Sequence, residues 1–289
     1  MDILYHYCST ATFYSIISNR SIWLSSLSLS NDSMEGKIVA DAVARLSKRD
    51  RLDEDASKSI QTALAMYETT IDGLGFCLSK KGDLLSQWRG YAADATGVAI
   101  GFSKDYLKWL ALPRSDSAGN EFLVAKVVYD AKKQESEVQT TYEEMKKAVE
   151  SGAFKNLKMV PLADVFKPEI DIHENKKRKE NDFLIGLTKA TSGLVPKLFS
   201  LKSPAFKEEE EWRLVSYLFK EVSDTCSYRV VSGKVVPYRE FALRELLRNP
   251  VVEVVLGPKQ ATPRHVIEGF LDRNGFEGVC VRRSAASYR

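Results

Sequence analysis

Residues 206–219 read FKEEEEWRLVSYLF, and the interpretation of the whole chain depends on this stretch. Alternate residues of a strand point to opposite faces, and the second half of the stretch alternates in this way. One predicted face carries Trp212, Leu214, Ser216 and Leu218. The same period places Glu209 and Glu211 on the opposite face, together with Arg213. Because charged groups beside an apolar strand are costly unless solvated, paired or used, the stretch is either a solvated strand end neutralised by Arg213 or a functional acid pair.

Length and composition indicate an ordinary globular protein. A chain of 289 residues forms one large domain, or a domain with an insertion, and buries a substantial core. Its 44% hydrophobic and 28% charged residues are typical of soluble proteins. The net charge of +3, from 42 basic and 39 acidic residues, argues neither for nor against nucleic acid, because a basic patch would have to be local.

Several classes of protein are not expected. The four cysteines are scattered without zinc spacing, and there are three histidines, so no structural metal site is predicted. The opening MDILYHYCST lacks the basic and apolar regions of a signal peptide, and no run of about 18 apolar residues could span a membrane. We therefore expect a cytoplasmic protein with reduced cysteines and no membrane partner.

The order of predicted elements favours an α+β fold. Strands are predicted at residues 3–7, 21–25, 74–79, 97–102, 122–129, 211–219, 226–231, 234–238, 251–256 and 278–282. Helices are predicted at residues 11–19, 35–49, 53–70, 84–92, 104–112, 142–150, 182–201 and 263–274, the last capped by Thr262. This order is strand-rich, then helical, then strand-rich, without regular βαβ alternation. It predicts a split sheet, mixed or antiparallel.

The segment at about 131–203 differs in character from its flanks. Helical stretches surround the basic run HENKKRKEND at 173–182. We interpret the segment as a mostly helical insertion within a single domain that spans residues 1–289. The basic run is either a solvated helix face or a phosphate-binding surface.

Polar residues beside apolar strands are the best candidates for chemistry, because Walker A, GxGxxG and GxSxG motifs are absent. The candidates are His6 between Tyr5 and Tyr7, Asn31 with Asp32 and Glu35, Gln87 to Arg89 with Tyr91, and Glu209 with Glu211. The spacing of Trp88 and Tyr91 favours core anchors over a stacking platform. Arg89 would pair with Glu211 or Glu35, or hold a phosphate.

Five ordered blocks of the sequence resemble a widespread bacterial family of unknown function. They are LYHYCS (4–9), IWLSSLSLSNDSME (22–35), GFCLSKKGDLLSQWRGYA (75–92) with GVAIGF (97–102), FKEEEEWRLV (206–215) and VRRSAASYR (281–289). Members of that family typically read L-Y-H/K-Y, S-x-x-x-x-N-D-x-x-E, S-x-W-x-x-Y, E-x-E-W-R and S-x-x-x-Y-R. The blocks cover both ends of the chain, and the helical segment is covered more weakly.

That family in turn resembles the ADP-ribosyltransferase superfamily, whose fold is a split sheet around an NAD cleft. In the superfamily a His or Arg lies on the first strand, a Ser or Tyr on the second, and a Glu, often as E-x-E, on a later one. The resemblance implies that His6 takes the first position and Ser25 or Ser26 the second. Glu211 would be the catalytic glutamate, and Glu209 would orient the acceptor.

The resemblance also implies a chemistry. Breaking the nicotinamide–ribose bond builds positive charge that a nearby carboxylate stabilises, and a second acid can deprotonate the acceptor. A histidine would bind the adenosine-side ribose and an arginine the pyrophosphate. No Ser-Thr-Ser or clear stacking tyrosine follows the second strand, so Trp23, Trp88 or Tyr91 would serve the nicotinamide pocket. Beside the catalytic pair, the expected NAD-binding residues are His6, Tyr7, Ser25, Ser26, Asn31, Trp88, Arg89 and Tyr91.

Four functions are compatible with these residues. The first is an ADP-ribosyltransferase of the toxin or antiviral-defence type, with NAD as substrate, a protein or nucleic acid as acceptor, and a regulatory or antitoxin partner. The second is an NAD hydrolase with the same cleft. The third is a non-enzymatic nucleotide or nucleic-acid-binding module that uses Arg89, Arg213 and the basic residues 176–179. The fourth is a metal-dependent nuclease built on Asp32, Glu35, Glu209 and Glu211.

Overall fold

The computed structural model describes residues 2–30, 36–112, 121–150, 190–219, 226–231, 233–243 and 249–288. Its strands are β1 (Ile3–Cys8), β2 (Ser21–Ser26), β3 (Ile71–Ser79), β4 (Val98–Ser103), β5 (Leu123–Lys126), β6 (Glu211–Phe219), β7 (Ser227–Val231), β8 (Lys234–Ala242), β9 (Val251–Leu256) and β10 (Cys280–Arg283). Its helices are α1 (Thr10–Asn19), α2 (Ile38–Arg49), α3 (Glu54–Thr70), α4 (Leu85–Tyr91), α5 (Lys104–Leu110), α6 (Ala131–Glu150) and α7 (Arg264–Arg273), with 3₁₀ turns at Val195–Lys197 and Pro204–Glu209.

The strands form one mixed, open sheet. Its main path of neighbours runs β10–β9–β4–β1–β3–β2–β8–β7, and β6 pairs with β3 and β5. Strands β10 and β9 are parallel, whereas the other pairs of these strands are antiparallel. The prediction of an α+β fold with a mixed sheet is confirmed.

Two strands share one edge of β3. The other edge of β3 pairs with β6 along its whole length. On the shared edge, β2 pairs with β3 near Gly75, and β1 pairs with it at Ser79. The backbone between these two points, from Phe76 to Leu78, faces the gap where β1 and β2 diverge. A pocket can open at such a gap without disturbing the packed faces of the sheet.

Helices cover both faces of the sheet. One apolar cluster includes Phe13 of α1, Leu107 of α5 and Leu271 of α7. A second cluster includes Leu46 of α2, Ile60 of α3 and Tyr142 of α6. The alternation of β6 separates the two clusters, since Leu214 lies in the first and Val215 in the second. Strand β6 is therefore buried on both sides, and its period of two is confirmed.

The helix α6 begins earlier than predicted. The sequence indicated a helix at 142–150, whereas α6 starts at Ala131 and buries Val138 and Met145 against α2 and α3. Two of the buried positions of α6 are polar, Gln134 and Thr141, so the apolar pattern that predicts a helix is weak in this part of the sequence. The rest of the predicted insertion between 151 and 189, with the basic run 173–182, lies outside the described residues.

Two local predictions are wrong. Thr262 does not cap α7: the position before that helix is Pro263, and the Thr262 N–H donates to the Gln260 side chain instead. Glu209 does not lie on β6, because it ends a 3₁₀ turn and Glu210 adopts a left-handed φ of 43°. The chain turns at Glu210, so the expected common strand face of Glu209 and Glu211 does not exist.

Candidate functional site

Two adjoining cavities open at the gap between β1, β2 and β3. The smaller, of about 100 Å³, we call the carboxylate cavity, and the larger, of about 370 Å³, the serine cavity. The carboxylate cavity is lined by Tyr5, Tyr7, Leu78, Ser79, Gln87, Lys202, Glu209, Glu211 and Arg213. The serine cavity is lined by Ala11, Thr12, Ser15, Ile16, Asn19, Ser21, Trp23, Ser25, Ser26, Gly75, Phe76 and Arg229. Both cavities share His6, Leu27, Ser30, Cys77 and Tyr91.

Glu211 begins β6, and two cations hold its carboxylate. Arg213, two residues further along the strand, donates from Nε to Oε1 at 2.7 Å and from Nη2 to Oε2 at 3.0 Å. Lys202 Nζ donates to Oε2 at 2.9 Å. Burial alone would raise the pKa of Glu211, but Arg213 and Lys202 outweigh it and lower the pKa to about 2. Glu211 is therefore a fixed carboxylate that stays charged.

The acid pair is not a solvated strand end. Glu211 is 5% exposed and Arg213 is 1% exposed, so both charges lie inside the protein. Arg213 also donates from Nη1 to the carbonyl oxygen of Phe199 at 2.9 Å. The prediction that Arg213 neutralises one acid is confirmed. The prediction that this end of the strand is solvated is wrong.

Lys202 brings the two glutamates together. Its Nζ donates to Glu209 Oε2 at 2.7 Å as well as to Glu211 Oε2. The side chain of Gln134 on α6 fixes this segment by donating to the Lys202 carbonyl oxygen at 2.9 Å. Burial lowers the pKa of Lys202, but Glu211 and Glu209 outweigh it, and the pKa lies above its ordinary value. Glu209 and Glu211 are therefore held together by the ammonium group of Lys202, and not by a common face of one strand as predicted.

The two carboxylates differ in their remaining capacity to accept hydrogen bonds. An ionised carboxylate offers about four acceptor sites. Glu211 receives three N–H groups, from Arg213 and Lys202. Glu209 receives one from Lys202, and its Oε1 lies 3.4 Å from the Tyr91 hydroxyl, a long and weak contact. Glu209 therefore has the greater capacity for a ligand.

His6 lies in the wall that both cavities share. Its Nδ1 is 2.8 Å from the carbonyl oxygen of Cys77, and a carbonyl only accepts, so Nδ1 carries the proton. The ring stacks on Phe76 with centroids 3.9 Å apart. Burial lowers the pKa of His6 to about 4, the Cys77 bond opposes this shift, and the charge of Arg229 adds to it. At neutral pH the ring is uncharged, and its Nε2 is a hydrogen-bond acceptor.

Ser25 and Ser26 lie in the serine cavity, as their place on the second strand predicted. Arg229 Nη2 donates to Ser25 Oγ at 2.7 Å, whereas Ser26 Oγ donates to Asp72 at 2.6 Å. Trp23, which the sequence suggested as a stacking group for nicotinamide, also lines this cavity rather than the one that holds the glutamates.

Helix α4 contributes Gln87 and Tyr91 to the site, and Trp88 anchors it. Trp88 is fully buried, packs edge-on against Tyr7 at 4.8 Å, and donates its indole N–H to Asp83 at 2.7 Å. Trp88 lines neither cavity, so the interpretation as a core anchor is confirmed for Trp88. It is wrong for Tyr91, which is 43% exposed and lines both cavities. Tyr7, by contrast, lines the carboxylate cavity.

The carboxyl-terminal block holds the same helix. Asp83 also accepts from the Ser284 hydroxyl and from the Ala285 N–H. Tyr288 donates to Asp94 at 2.7 Å, just beyond α4. The S-x-W-x-x-Y and S-x-x-x-Y-R blocks, which are far apart in sequence, therefore meet and position α4 together.

Other predicted site residues lie elsewhere. Arg89 is exposed, with its guanidinium 5.9 Å from the ring centroid of Tyr288, and it lines neither cavity. Asn31 falls outside the described residues, as do Asp32 and Glu35. Sequence reasoning missed several polar residues that line the cavities, among them Ser79, Lys202 and Arg229.

Within the described ranges, no three His, Cys, Asp or Glu side chains are grouped so that they could hold a metal ion. In the same part of the chain, none of the helices has the length and apolar character needed to cross a bilayer.

Part of the chain is similar to a family of proteins of unknown function. A family model described as "Protein of unknown function (DUF2971)" matches residues 87–214. The matched span runs from α4 into β6, and it includes Tyr91, Lys202, Glu209 and Glu211, but not His6. No curated protein and no solved structure matches the chain.

Proposed function

We propose that the chain is an NAD-cleaving enzyme of the ADP-ribosyltransferase type, which breaks the nicotinamide–ribose bond and transfers ADP-ribose to a macromolecule. The observation that carries this proposal is the convergence of His6, Glu209 and Glu211, from β1, a 3₁₀ turn and β6, on one cavity. The resemblance of the sequence, through its family, to the superfamily supports the proposal, as does the gap in the sheet at which the cavity opens.

Glu211 is suited to stabilise the charge that develops during cleavage. The C–N bond between ribose and nicotinamide breaks, its electron pair leaves with the nicotinamide ring, and positive charge builds on the ribose. A preorganised carboxylate lowers the energy of such a transition state. Glu211 is held rigidly by Arg213 and Lys202, and its remaining acceptor site can take a ribose hydroxyl.

Glu209 is suited to the second half of the reaction. The nucleophile of the acceptor attacks the ribose carbon, and its proton must go to a base. Glu209 lies at the same cavity and keeps unused acceptor sites. His6 Nε2 would accept a hydrogen bond from a ribose hydroxyl, because the proton of the ring lies on Nδ1 and is donated to the carbonyl oxygen of Cys77.

The competing functions explain the geometry less well. Lys202 Nζ already lies between Glu209 and Glu211, where a divalent cation of a nuclease would have to bind. Arg213 is buried on Glu211, so it is not available to a nucleic-acid backbone. We therefore favour NAD over a metal ion or a nucleic acid as the ligand of the carboxylate cavity.

The decisive experiment follows nicotinamide release and the fate of labelled ADP-ribose in a cell lysate. We expect Glu211→Gln to slow nicotinamide release by about 100- to 1,000-fold, the usual effect of losing one preorganised electrostatic group. The Glu211→Gln amide also turns a donor toward Arg213 or Lys202, so the assay is run at a temperature where circular dichroism shows a folded variant. Glu210→Gln is the matched control, since Glu210 forms a surface pair with Lys81.

Glu209→Gln separates the two steps. Its amide can still accept from Lys202, so the network persists, and we expect transfer to macromolecules to fall while nicotinamide release continues. If the label appears only as free ADP-ribose, the protein cleaves NAD, and the proposed transfer to a macromolecule is wrong. The whole proposal is wrong if the wild-type protein neither binds nor cleaves NAD at millimolar concentration, or if folded Glu211→Gln releases nicotinamide at the wild-type rate.

A further inference from the structure

Arg229 is turned inward from a strand that is otherwise exposed. Strand β7 forms one end of the main strand path, and four of its five residues are exposed, Arg229 being the exception. Its side chain reaches across the neighbouring strand β8 to Ser25 of β2, 204 positions away in sequence. The guanidinium carbon lies 5.5 Å from the centroid of the Trp23 ring, which itself stacks on Tyr238. The arginine is thus held in one place at the wall of the serine cavity.

The charge of Arg229 is not matched in the described part of the chain. Its Nε is buried and has no hydrogen-bond partner. Among the described residues that line the serine cavity there is no Asp or Glu. Burial lowers the pKa of Arg229, because the charged form loses contact with water. Arginine is seldom buried without a partner, and its Nε and Nη2 edge fits an oxyanion in a bidentate way.

The hydroxyl groups of the cavity point to the same ligand. Ser21 donates its proton to Glu240, and Ser26 donates to Asp72, so these two oxygens can only accept. Ser25 differs because its oxygen accepts from Arg229, which directs its own proton elsewhere. An anion beside Arg229 would therefore receive hydrogen bonds from the guanidinium and from the Ser25 hydroxyl.

We infer that Arg229 and Ser25 form a binding site for the diphosphate group of a nucleotide. The nature of the anion rests on the proposed function, since the serine cavity adjoins the glutamates at which the ribose would be cleaved. The fixed cation, the orphaned Nε and the absence of carboxylates among the described lining residues are independent of that function. The phosphate-binding role that we predicted for Arg89 is thus assigned to Arg229.

The test is calorimetric titration with ADP and with adenosine. We expect Arg229→Met to weaken ADP binding by about 10- to 100-fold and adenosine binding by little, because only ADP carries the phosphates. Ser25→Ala should weaken ADP binding in the same direction by a smaller factor, and Arg229→Lys should retain part of the affinity. Arg89→Met is the matched control and should bind ADP like the wild type.

Four results would overturn the site. These are unchanged ADP affinity in Arg229→Met, an equal loss for adenosine, no ADP binding by the wild-type protein at millimolar concentration, and Arg229-dependent binding of single-stranded RNA without binding of ADP. The outcome is separable from that of the proposed function. ADP binding that depends on Arg229, in a protein that does not cleave NAD, would support the site and reject the proposed enzyme. NAD cleavage with equal kcat/KM in wild type and Arg229→Met would support the enzyme and reject the site.

Discussion

The two adjoining cavities treat charge in opposite ways. In the carboxylate cavity, Glu209 and Glu211 face Lys202 and Arg213, and these two negative and two positive charges neutralise one another. In the serine cavity, Arg229 is the charged residue among the described lining residues, and hydroxyl groups surround it. One region is a network of ion pairs, and the other holds a cation without a carboxylate among its described lining residues.

The difference separates groups that are preorganised from groups that bind. A buried ion-pair network adds little net stability over apolar residues of similar volume, yet removing one partner is costly because it leaves a buried charge unpaired. The network also fixes the position of each carboxylate without the need for a ligand. A partly buried cation with no carboxylate among the described lining residues costs free energy that a bound anion can return. We therefore expect the carboxylate cavity to govern the stability of the folded protein and the rate of the reaction, and the serine cavity to govern affinity.

The largest expected effect compares the same substitution in the two cavities. Arg213→Met leaves Glu211 buried with Lys202 alone, so we expect the free energy of unfolding to fall by about 3–5 kcal/mol. Arg229→Met removes no ion pair, and its effect should stay within about 1 kcal/mol. Urea denaturation of both variants measures this contrast. Equal losses would show that Arg229 is a structural residue and that the two cavities do not differ.

A smaller loss is expected from the lysine that joins the glutamates. Lys202→Met leaves Glu209 without its cation and removes one of two from Glu211, which should cost about 2–3 kcal/mol. Lys207→Met is the control, because Lys207 is exposed on the 3₁₀ turn that ends at Glu209 and should change stability by less than about 0.5 kcal/mol. Thermal unfolding of both proteins at pH 7 checks the difference. Equal stability of the two variants would refute the role of Lys202.

Local patterns explain the parts of the structure that sequence could predict. The alternation of β6 depends only on the period of a strand, so it placed Glu211 and Arg213 on one face correctly. Most of the strands and helices followed from similar local signals. The same reasoning failed one residue earlier, because the left-handed Glu210 interrupts the period.

Residues brought in by tertiary contacts could not be predicted. Lys202 reaches the glutamates because Gln134 of α6 holds its backbone, and no pattern in the sequence marks this contact. Arg229 crosses β8 to reach β2, and its strand shows no alternation that indicates which face is inward. Arg89 was selected because it follows Trp88. Consecutive residues of a helix do not share a face, however, so burial of Trp88 leaves Arg89 in solvent.

The smallest expected effect concerns His6, which belongs to both cavities. Burial lowers its pKa to about 4 from an ordinary value of 6.5, so the unfolded chain takes up a proton before the folded protein does. The contribution of His6 to stability is therefore complete above pH 6.5 and is lost as the pH falls from 6.5 to 4. Because the ring is partly exposed to the cavities, we expect a loss of about 1–2 kcal/mol over this window. Glu211, whose pKa is lowered from 4.5 to about 2, loses its contribution between these values, so its pH window lies almost entirely below that of His6. The measurement is the difference in the free energy of unfolding between wild type and His6→Asn at several pH values. A difference that stays constant from pH 7 to pH 4 would mean that the ring is solvated and that it is not the neutral acceptor assigned to the ribose.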